Sequence, residues 1–283
     1  MILPMKYKIE KNTVQETLII PLYARKVCSE LYPNLYRDET AVRLIDEIDY
    51  DFSEAEKNSR GLMQRFGSLE VAMRQNDLAF EVQDYLKSHP NAAVVNLGCG
   101  LDSTGRSCDN GSCKIYNLDL PDVIAVRNEL LPAGEREENI PCNLNDTEWF
   151  SQIDASGGAV FFASGVFYYF LTEQVRTLVQ KMADAFPGSV LVFDAANRTA
   201  VKMIAKTWLK SAKIKDVGAY FAVSDAPQEI SAWDSRLQVT SRGYMLGYND
   251  LKDPSVSGFF RFLAKIGDGM MKMQIVRIKF GGR

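Results

Sequence analysis

The chain has 283 residues, of which 46% are hydrophobic and 24% are charged, a composition typical of a globular protein with one large domain or two small ones. The formal net charge of −3 lacks the basic excess of nucleic-acid binders, so we expect no nucleic-acid partner. No apolar stretch reaches the roughly 18 residues of a transmembrane helix, and the N-terminus lacks a signal-peptide core, so we expect a cytoplasmic protein without a membrane partner. The five cysteines show no framework spacing and are expected to be reduced.

The first third of the chain has helical periodicity. Apolar residues recur at three- and four-residue steps in ETAVRLIDEI (39–48) and LEVAMRQNDLAFEVQDYL (69–86). We therefore predict a helical N-terminal cap over residues 1–90.

The pattern changes after Pro90, where short apolar runs alternate with helical stretches. Strands are predicted over 92–97, 114–120, 139–143, 159–164 and 189–195, and helices over 121–131 and 172–186, with Thr172 as a cap. Such alternation predicts an α/β fold with a doubly wound, mostly parallel sheet, in which residues 91–195 form the cofactor-binding core.

The alternation stops after residue 195. Residues 196–235 combine helical and aromatic segments and are predicted to form a helical insertion that covers a substrate. Two late strands are predicted over 236–246 and 271–280, around a helix near Val256 to Ile266, so that 236–283 holds the terminal strands. The whole chain, 1–283, is predicted to be one domain.

A glycine-rich turn follows the first strong strand, in VVNLGCGLDS. Gly98 and Gly100 allow the backbone to turn sharply and a ligand to approach it, at the edge where open α/β sheets bind ligands. A dinucleotide fingerprint would have Gly or Ala at the position of Ser103, and the negative charge of Asp102 would repel a pyrophosphate. A ligand that lacks phosphates and carries a positive sulfonium suits this turn better.

Asp119 ends the next predicted strand, 21 residues beyond Gly98. A carboxylate at this point can accept hydrogen bonds from both hydroxyls of a ribose. The turn and the acid together predict an adenosine-containing cofactor. A nicotinamide-dependent oxidoreductase remains an alternative, although Ser103 and Asp102 count against it.

The segments NAAVVNLGCGLDS and IYNLDLPDVIAVR resemble the leucine carboxyl methyltransferase and tetracenomycin-type polyketide O-methyltransferase family. TLIIPLYARKV, FFASGVFYYF and FPGSVLVFDAAN resemble it as well, so that the similarity extends from about Thr17 to Asn197. The resemblance implies S-adenosyl-L-methionine as cofactor and a seven-stranded, Rossmann-like methyltransferase sheet whose last two strands pair at one edge.

The resemblance also implies which residues bind the cofactor. Arg74 would bind the methionine carboxylate, the glycine turn would pass under the methionine and ribose, and the side-chain carbonyl of Asn143 would contact the adenine amine. The implied cofactor site comprises Arg74, Gly98, Cys99, Gly100, Asp119, Leu120, Asn143, Leu144 and Ser164.

One position departs from the family's pattern E-G-V-L-M-Y-L. Here Ser164 replaces the glutamate, so either its hydroxyl makes a neutral hydrogen bond to the cofactor or the affinity is reduced. A homologue that binds the cofactor without turnover is therefore a second alternative. Tyr169 matches the family's tyrosine and is the candidate catalytic residue at the reaction centre, although a packed core aromatic would give the same pattern.

The acceptor is expected to be a small molecule methylated on oxygen. His89 is the only histidine and lies in a predicted exposed turn, so no histidine base is evident, which favours a carboxylate or an acidic enol over a phenol. We predict an acceptor pocket from Tyr23 or Arg25, Tyr169, and the aromatic residues Trp208, Tyr220, Phe221 and Trp233. Methylation of a protein C-terminal carboxylate is an alternative, and no metal site or particular oligomeric state is predicted.

Overall fold

Helices dominate the chain before residue 90 in the computed structural model, which describes residues 6–10, 14–59, 61–204 and 220–282. They are α1 (Val14–Leu31), α2 (Glu39–Glu47), α3 (Ser53–Ser59) and α4 (Leu62–Ser88). Two short strands that the sequence did not predict, β1 (Tyr7–Lys8) and β2 (Ile48–Asp49), pair in parallel. With 27 residues, α4 is roughly 40 Å long and begins seven residues earlier than predicted.

A seven-stranded sheet forms the centre of the described part of the molecule. Its strands are β3 (Ala93–Leu97), β4 (Lys114–Asp119), β5 (Glu137–Pro141), β6 (Ala159–Ala163), β7 (Val190–Ala195), β8 (Leu237–Gly243) and β9 (Gln274–Phe280). They lie in the order β5-β4-β3-β6-β7-β9-β8. Only the β7–β9 and β9–β8 pairs are antiparallel, which confirms the predicted mostly parallel sheet with paired terminal strands at one edge.

The remaining described helices connect the strands. They are α5 (Thr104–Ser107), α6 (Pro121–Leu130), α7 (Thr172–Ala185), α8 (Arg198–Ile204), α9 (Ala226–Ser231) and α10 (Gly258–Gly269). Helix α5, which follows the glycine turn, is only a single turn long. Helix α7 is capped differently than predicted, because Leu171 is the N-cap and its N–H donates to Gln174 Oε1. No described helix has the length and apolar character needed to cross a bilayer.

The two faces of the sheet are covered by different helices. Leu78 and Val82 of α4 pack on one face, against Val94 and Phe162. Apolar residues of α7, with Val179 among them, pack on the other face. Helices α1 and α2 join α6 in a further apolar cluster. The C-terminal half of α4 therefore lies on the sheet, while its N-terminal half continues beyond it.

Candidate cofactor site

The glycine turn lies directly after β3. Gly98 and Gly100 have φ angles of +68° and +47°, a left-handed conformation that favours glycine. A Cβ on Gly98 would lie 2.6 Å from Val166 Cγ2, and one on Gly100 would lie 3.1 Å from Leu18 Cδ2. The sequence predicted that these glycines make room for a ligand, and the structure shows that they also make room for two apolar side chains. Cys99 between them is buried, and burial raises the pKa of its thiol.

Asp119 ends β4 beside the turn. Its Oδ2 accepts the Gly100 N–H at 2.7 Å, and its Oδ1 accepts the Leu120 N–H at 2.8 Å. Desolvation raises the pKa of this half-buried carboxyl, and the two N–H donors partly offset the rise. Each oxygen keeps a lone pair, so that the carboxylate can accept one hydroxyl on each oxygen, as the vicinal diol of a ribose requires. Leu120, 39% exposed, presents an apolar side chain beside it.

Asp102 does not face a ligand, contrary to the prediction that its charge lies where phosphates would sit. Its Oδ1 accepts from the Thr104 N–H at 2.8 Å and from the Gln75 side-chain amide, and its Oδ2 accepts from Asn96 at 3.3 Å. Arg25 Nη1 lies 3.4 Å from the same carboxylate. The Asp102 carboxylate is therefore hydrogen-bonded and paired with Arg25 inside the protein, where it stabilises the turn.

Arg74, predicted to bind the methionine carboxylate, lies on α4 above the ends of β6 and β7. Its Nη1 donates to Asp194 Oδ2 at 3.1 Å. Its Nε is buried and has no hydrogen-bond partner among the described residues. Burial lowers the pKa of this guanidinium, but Asp194 outweighs burial, so the net pKa is raised and the group stays charged.

Ser164 and Tyr169 lie near Arg74. Ser164 is half-buried directly after β6, and Tyr169 ends a short 3-10 turn (Phe167–Tyr169) with 46% of its surface exposed. Desolvation raises the pKa of Tyr169, with opposing contributions from Arg74 and Asp194, so the phenol lies near both. This exposure argues against the packed-core alternative for Tyr169, while its catalytic role stays a prediction.

Asn143 and Leu144, predicted to lie near the adenine, follow β5. The Oδ1 of Asn143 already accepts hydrogen bonds from the backbone and side-chain nitrogens of Asn145, both at 3.1 Å. Leu144 is buried in the main apolar cluster. A contact through the Asn143 carbonyl would therefore compete with the Asn145 turn, and Leu144 can offer only its backbone.

The predicted acceptor pocket is only partly assembled. Arg25 is buried and bound to Asp38 at 3.2 Å and to the Leu101 carbonyl at 2.9 Å, so the prediction that it lines a pocket is wrong. Tyr23 is buried and stacks on Phe52, with ring centroids 5.4 Å apart.

The aromatic residues predicted from the insertion include both buried and exposed side chains. Phe221 is buried in the main cluster and Trp233 packs against it, so both support the fold. Tyr220 is 53% exposed, and its N–H donates to the Tyr168 carbonyl at 2.7 Å, which places it next to Tyr169. Trp208 lies outside the described residues.

Two acidic residues near Arg74 were missed by sequence reasoning. Asp194 is the penultimate residue of β7, close to the carboxyl end of the strand as Asp119 is in β4, and this similar position was the signal that could have identified it. Glu70 lies one helical turn before Arg74 on α4, and burial raises its pKa to about 8, although Arg74 lowers it.

Sequence comparison identifies the family. The family model described as leucine carboxyl methyltransferase matches residues 22–183, more than half of the chain. The chain belongs to the leucine carboxyl methyltransferase family. Membership confirms that it is an S-adenosylmethionine-dependent methyltransferase, and the oxidoreductase alternative is dropped.

Two relatives extend this comparison. The chain is 27% identical over 188 residues to the tetracenomycin polyketide synthesis O-methyltransferase TcmP of Streptomyces glaucescens, covering 66% of this chain and 67% of the relative. It is 24% identical over 258 residues to the S-adenosyl-L-methionine-dependent methyltransferase dpfgK of Gibberella zeae, covering 85% of each.

Solved structures share the fold. A DUF574 family protein from Streptomyces avermitilis superposes with a TM-score of 0.57 at 11% identity, covering 91% of this chain and 97% of that one. The plantazolicin methyltransferase BpumL, solved with S-adenosylhomocysteine, superposes with a TM-score of 0.50 at 14% identity, covering 94% and 98%.

Proposed function

We propose that this methyltransferase acts on an oxygen of a small, polyketide-like molecule, at a carboxylate or at a phenol or enol. The similarity to a polyketide O-methyltransferase supports the acceptor class. The observation that carries the proposed cofactor site is the Asp119 carboxylate, held by two backbone N–H groups at the edge of the sheet next to the glycine turn.

The described residues fit the cofactor on two counts. Asp119 offers one free lone pair on each oxygen for the ribose hydroxyls. Arg74 offers a buried Nε–H that lacks an acceptor, which the methionine carboxylate would satisfy. When bound, S-adenosylmethionine supplies an electrophilic methyl group on its sulfonium, and the chain positions the acceptor oxygen and excludes water.

Glu70 is a candidate general base for a phenol or enol acceptor, which is proposed in addition to the carboxylate acceptor predicted from the sequence. A carboxylate acceptor is already ionised and needs no base, whereas a phenol benefits from one. With its pKa raised to about 8 by burial, the Glu70 carboxyl is a stronger base than an ordinary glutamate and lies near Arg74.

Binding of the cofactor is tested by calorimetric titration of S-adenosylmethionine and S-adenosylhomocysteine. We expect saturable binding to the wild type and a loss of about tenfold or more in Asp119→Ala, because two charge-assisted hydrogen bonds to the ribose disappear. Asp122→Ala, which removes an exposed acid three residues along the chain, is the matched control and should bind normally. A wild type that binds neither ligand would refute the proposed site.

The acceptor is tested with methyl-labelled cofactor and three panels: small carboxylic acids, phenols and enols of polyketide type, and peptides that end in a free leucine carboxylate. Label in a small-molecule ester or ether supports the proposal. Label only in the peptides would instead assign methylation of a protein C-terminal carboxylate, in line with the leucine carboxyl methylation that the family's description names. Saturable cofactor binding with no labelled product in any panel would favour a homologue without turnover.

The same proposal includes a small-molecule partner, no nucleic-acid or membrane partner, and a cytoplasmic location. Support for the location comes from the cysteines, since all five are free thiols, as a reducing compartment would maintain them.

A further inference from the structure

The end of β7 carries an acid beside the position where the family's glutamate is missing. Strands β6 and β7 are parallel, and their register pairs Ala163 with Phe193. The next residues along the two strands are Ser164 and Asp194, which therefore stand side by side at the carboxyl edge of the sheet. The Asp194 carboxylate therefore places a negative charge at this edge, one strand away from position 164, where the family pattern has glutamate.

Asp194 is buried and fully engaged by its neighbours. Its Oδ1 accepts the Gly165 N–H at 2.6 Å, and its Oδ2 accepts from Arg74 Nη1 at 3.1 Å. The Tyr168 hydroxyl interacts with the same carboxylate. A carboxylate fixed by a backbone N–H on one oxygen holds its partner cation in a defined orientation.

The backbone at Gly165 is shaped to admit the guanidinium. Gly165 has a φ angle of +72°, and a Cβ there would lie 2.8 Å from Arg74 Nη1. With Nη1 bound by Asp194, the Nε of Arg74 has no partner among the described residues. The guanidinium is therefore anchored at one nitrogen and keeps a donor for another anion.

We propose that Asp194 is the positioning residue of the cofactor site: it holds Arg74 in the orientation in which the guanidinium binds the methionine carboxylate. This inference rests on the proposed cofactor site.

The test compares two ligands that differ only at the end where Asp194 acts. S-adenosylhomocysteine carries the amino-acid group, whereas 5′-methylthioadenosine keeps the adenosine and the sulfur but lacks the carboxylate. In Asp194→Asn we expect S-adenosylhomocysteine to bind about 10- to 100-fold more weakly, as for a lost charge-assisted hydrogen bond, with methylthioadenosine almost unaffected. Asp154→Asn, which removes an acid paired with Lys114 on the surface, is the control and should bind both ligands normally.

A double-mutant cycle tests whether Asp194 acts through Arg74. Because both residues serve one interaction, Arg74→Met and Arg74→Met/Asp194→Asn should bind S-adenosylhomocysteine with the same reduced affinity. Additive losses would overturn the inference, since Asp194 would then act independently of the arginine.

Further outcomes separate the inference from the proposed function. Normal S-adenosylhomocysteine affinity in Asp194→Asn, or an equal loss for both ligands, would overturn the positioning role while leaving the cofactor site intact. A wild type that binds neither ligand would instead refute the proposed function itself. If Asp194→Asn does not fold, Gly165→Ala pushes the guanidinium away from Asp194 without changing any charge, and normal S-adenosylhomocysteine affinity in that variant would equally overturn the inference.

Discussion

Gly98 has a left-handed backbone conformation and lies close to Val166, and each of these features separately disfavours a side chain at this position. Any L-residue at a φ of +68° is strained, by about 1–2 kcal/mol. A side chain at this position would in addition collide with Val166, which follows β6 on the neighbouring strand. The residue therefore links the glycine turn to the segment that carries Ser164 and Tyr169.

We predict that Gly98→Ala weakens cofactor binding and lowers the free energy of unfolding by roughly 2–4 kcal/mol, as strain and overpacking add. Gly111→Ala is the matched control, because Gly111 also has a positive φ, +85°, but a Cβ there meets nothing within 4 Å. Urea unfolding and calorimetry of both variants measure the difference. Equal losses in the two variants would mean that the contact with Val166 costs nothing.

At the scale of elements, a buried polar network ties the N-terminal helices to the glycine turn. Arg25 of α1 lies 3.2 Å from Asp38, which caps α2, and 3.4 Å from Asp102 in the turn. Gln75 of α4 donates to Asp102 and accepts from the Tyr36 hydroxyl. These buried contacts hold α1, α2 and α4 against the turn that borders the cofactor site.

We predict that Arg25→Met destabilises the protein by about 3–5 kcal/mol, because Asp38 and Asp102 would remain buried without a cation. Lys26→Met changes the next residue of α1, whose ion pair with the half-exposed Glu30 contributes less than about 1 kcal/mol. The free energy of unfolding in urea checks both values. If Lys26→Met costs as much as Arg25→Met, the network does not stabilise the fold.

At the scale of the whole molecule, buried acids make stability depend on pH. Asp77 of α4 accepts the Met245 N–H at 2.8 Å. Burial raises the pKa of Asp77 to about 8, and the nearby negative charges of Asp268 and Glu81 add to this rise. Burial also raises the pKa of Asp268 to about 7. These groups lie where α4 meets the turn after β8 and helix α10.

The direction of this effect follows from proton binding. Between the ordinary value of 3.8 and about 8, the folded state holds a proton on Asp77 that the unfolded state releases. The free energy of unfolding therefore falls as the pH rises through this window. We predict that Asp77→Asn, which is neutral at every pH, has a shallower slope between about pH 5 and 8.

Urea unfolding at several pH values checks this prediction. Asp154→Asn is its control, since Lys114 lowers the pKa of Asp154 and its titration lies below the window. Identical slopes in the wild type and Asp77→Asn would contradict the assignment.

The sequence by itself determined the features that arise within contiguous segments. The alternation of apolar runs and helical periods predicted the five parallel strands of the large sheet, and two later apolar segments predicted its terminal strands, because side-chain periodicity reports local burial. The glycine turn and Asp119 were predicted together, because a β-α-β unit places the ends of two successive parallel strands at one edge. The family and its cofactor followed from these motifs.

Only the tertiary structure decided which charges meet. Arg25 and Asp102 are separated by 77 residues, and Arg74 and Asp194 by 120 residues, so no local pattern could pair them. The pairing of β1 with β2 depends likewise on segments 41 residues apart. The same separation explains why Arg25 was assigned to a pocket and why the pairing of Asp194 with Arg74 was not predicted. Strand register and the placement of α4 bring these side chains together, and they depend on the packing of the whole sheet.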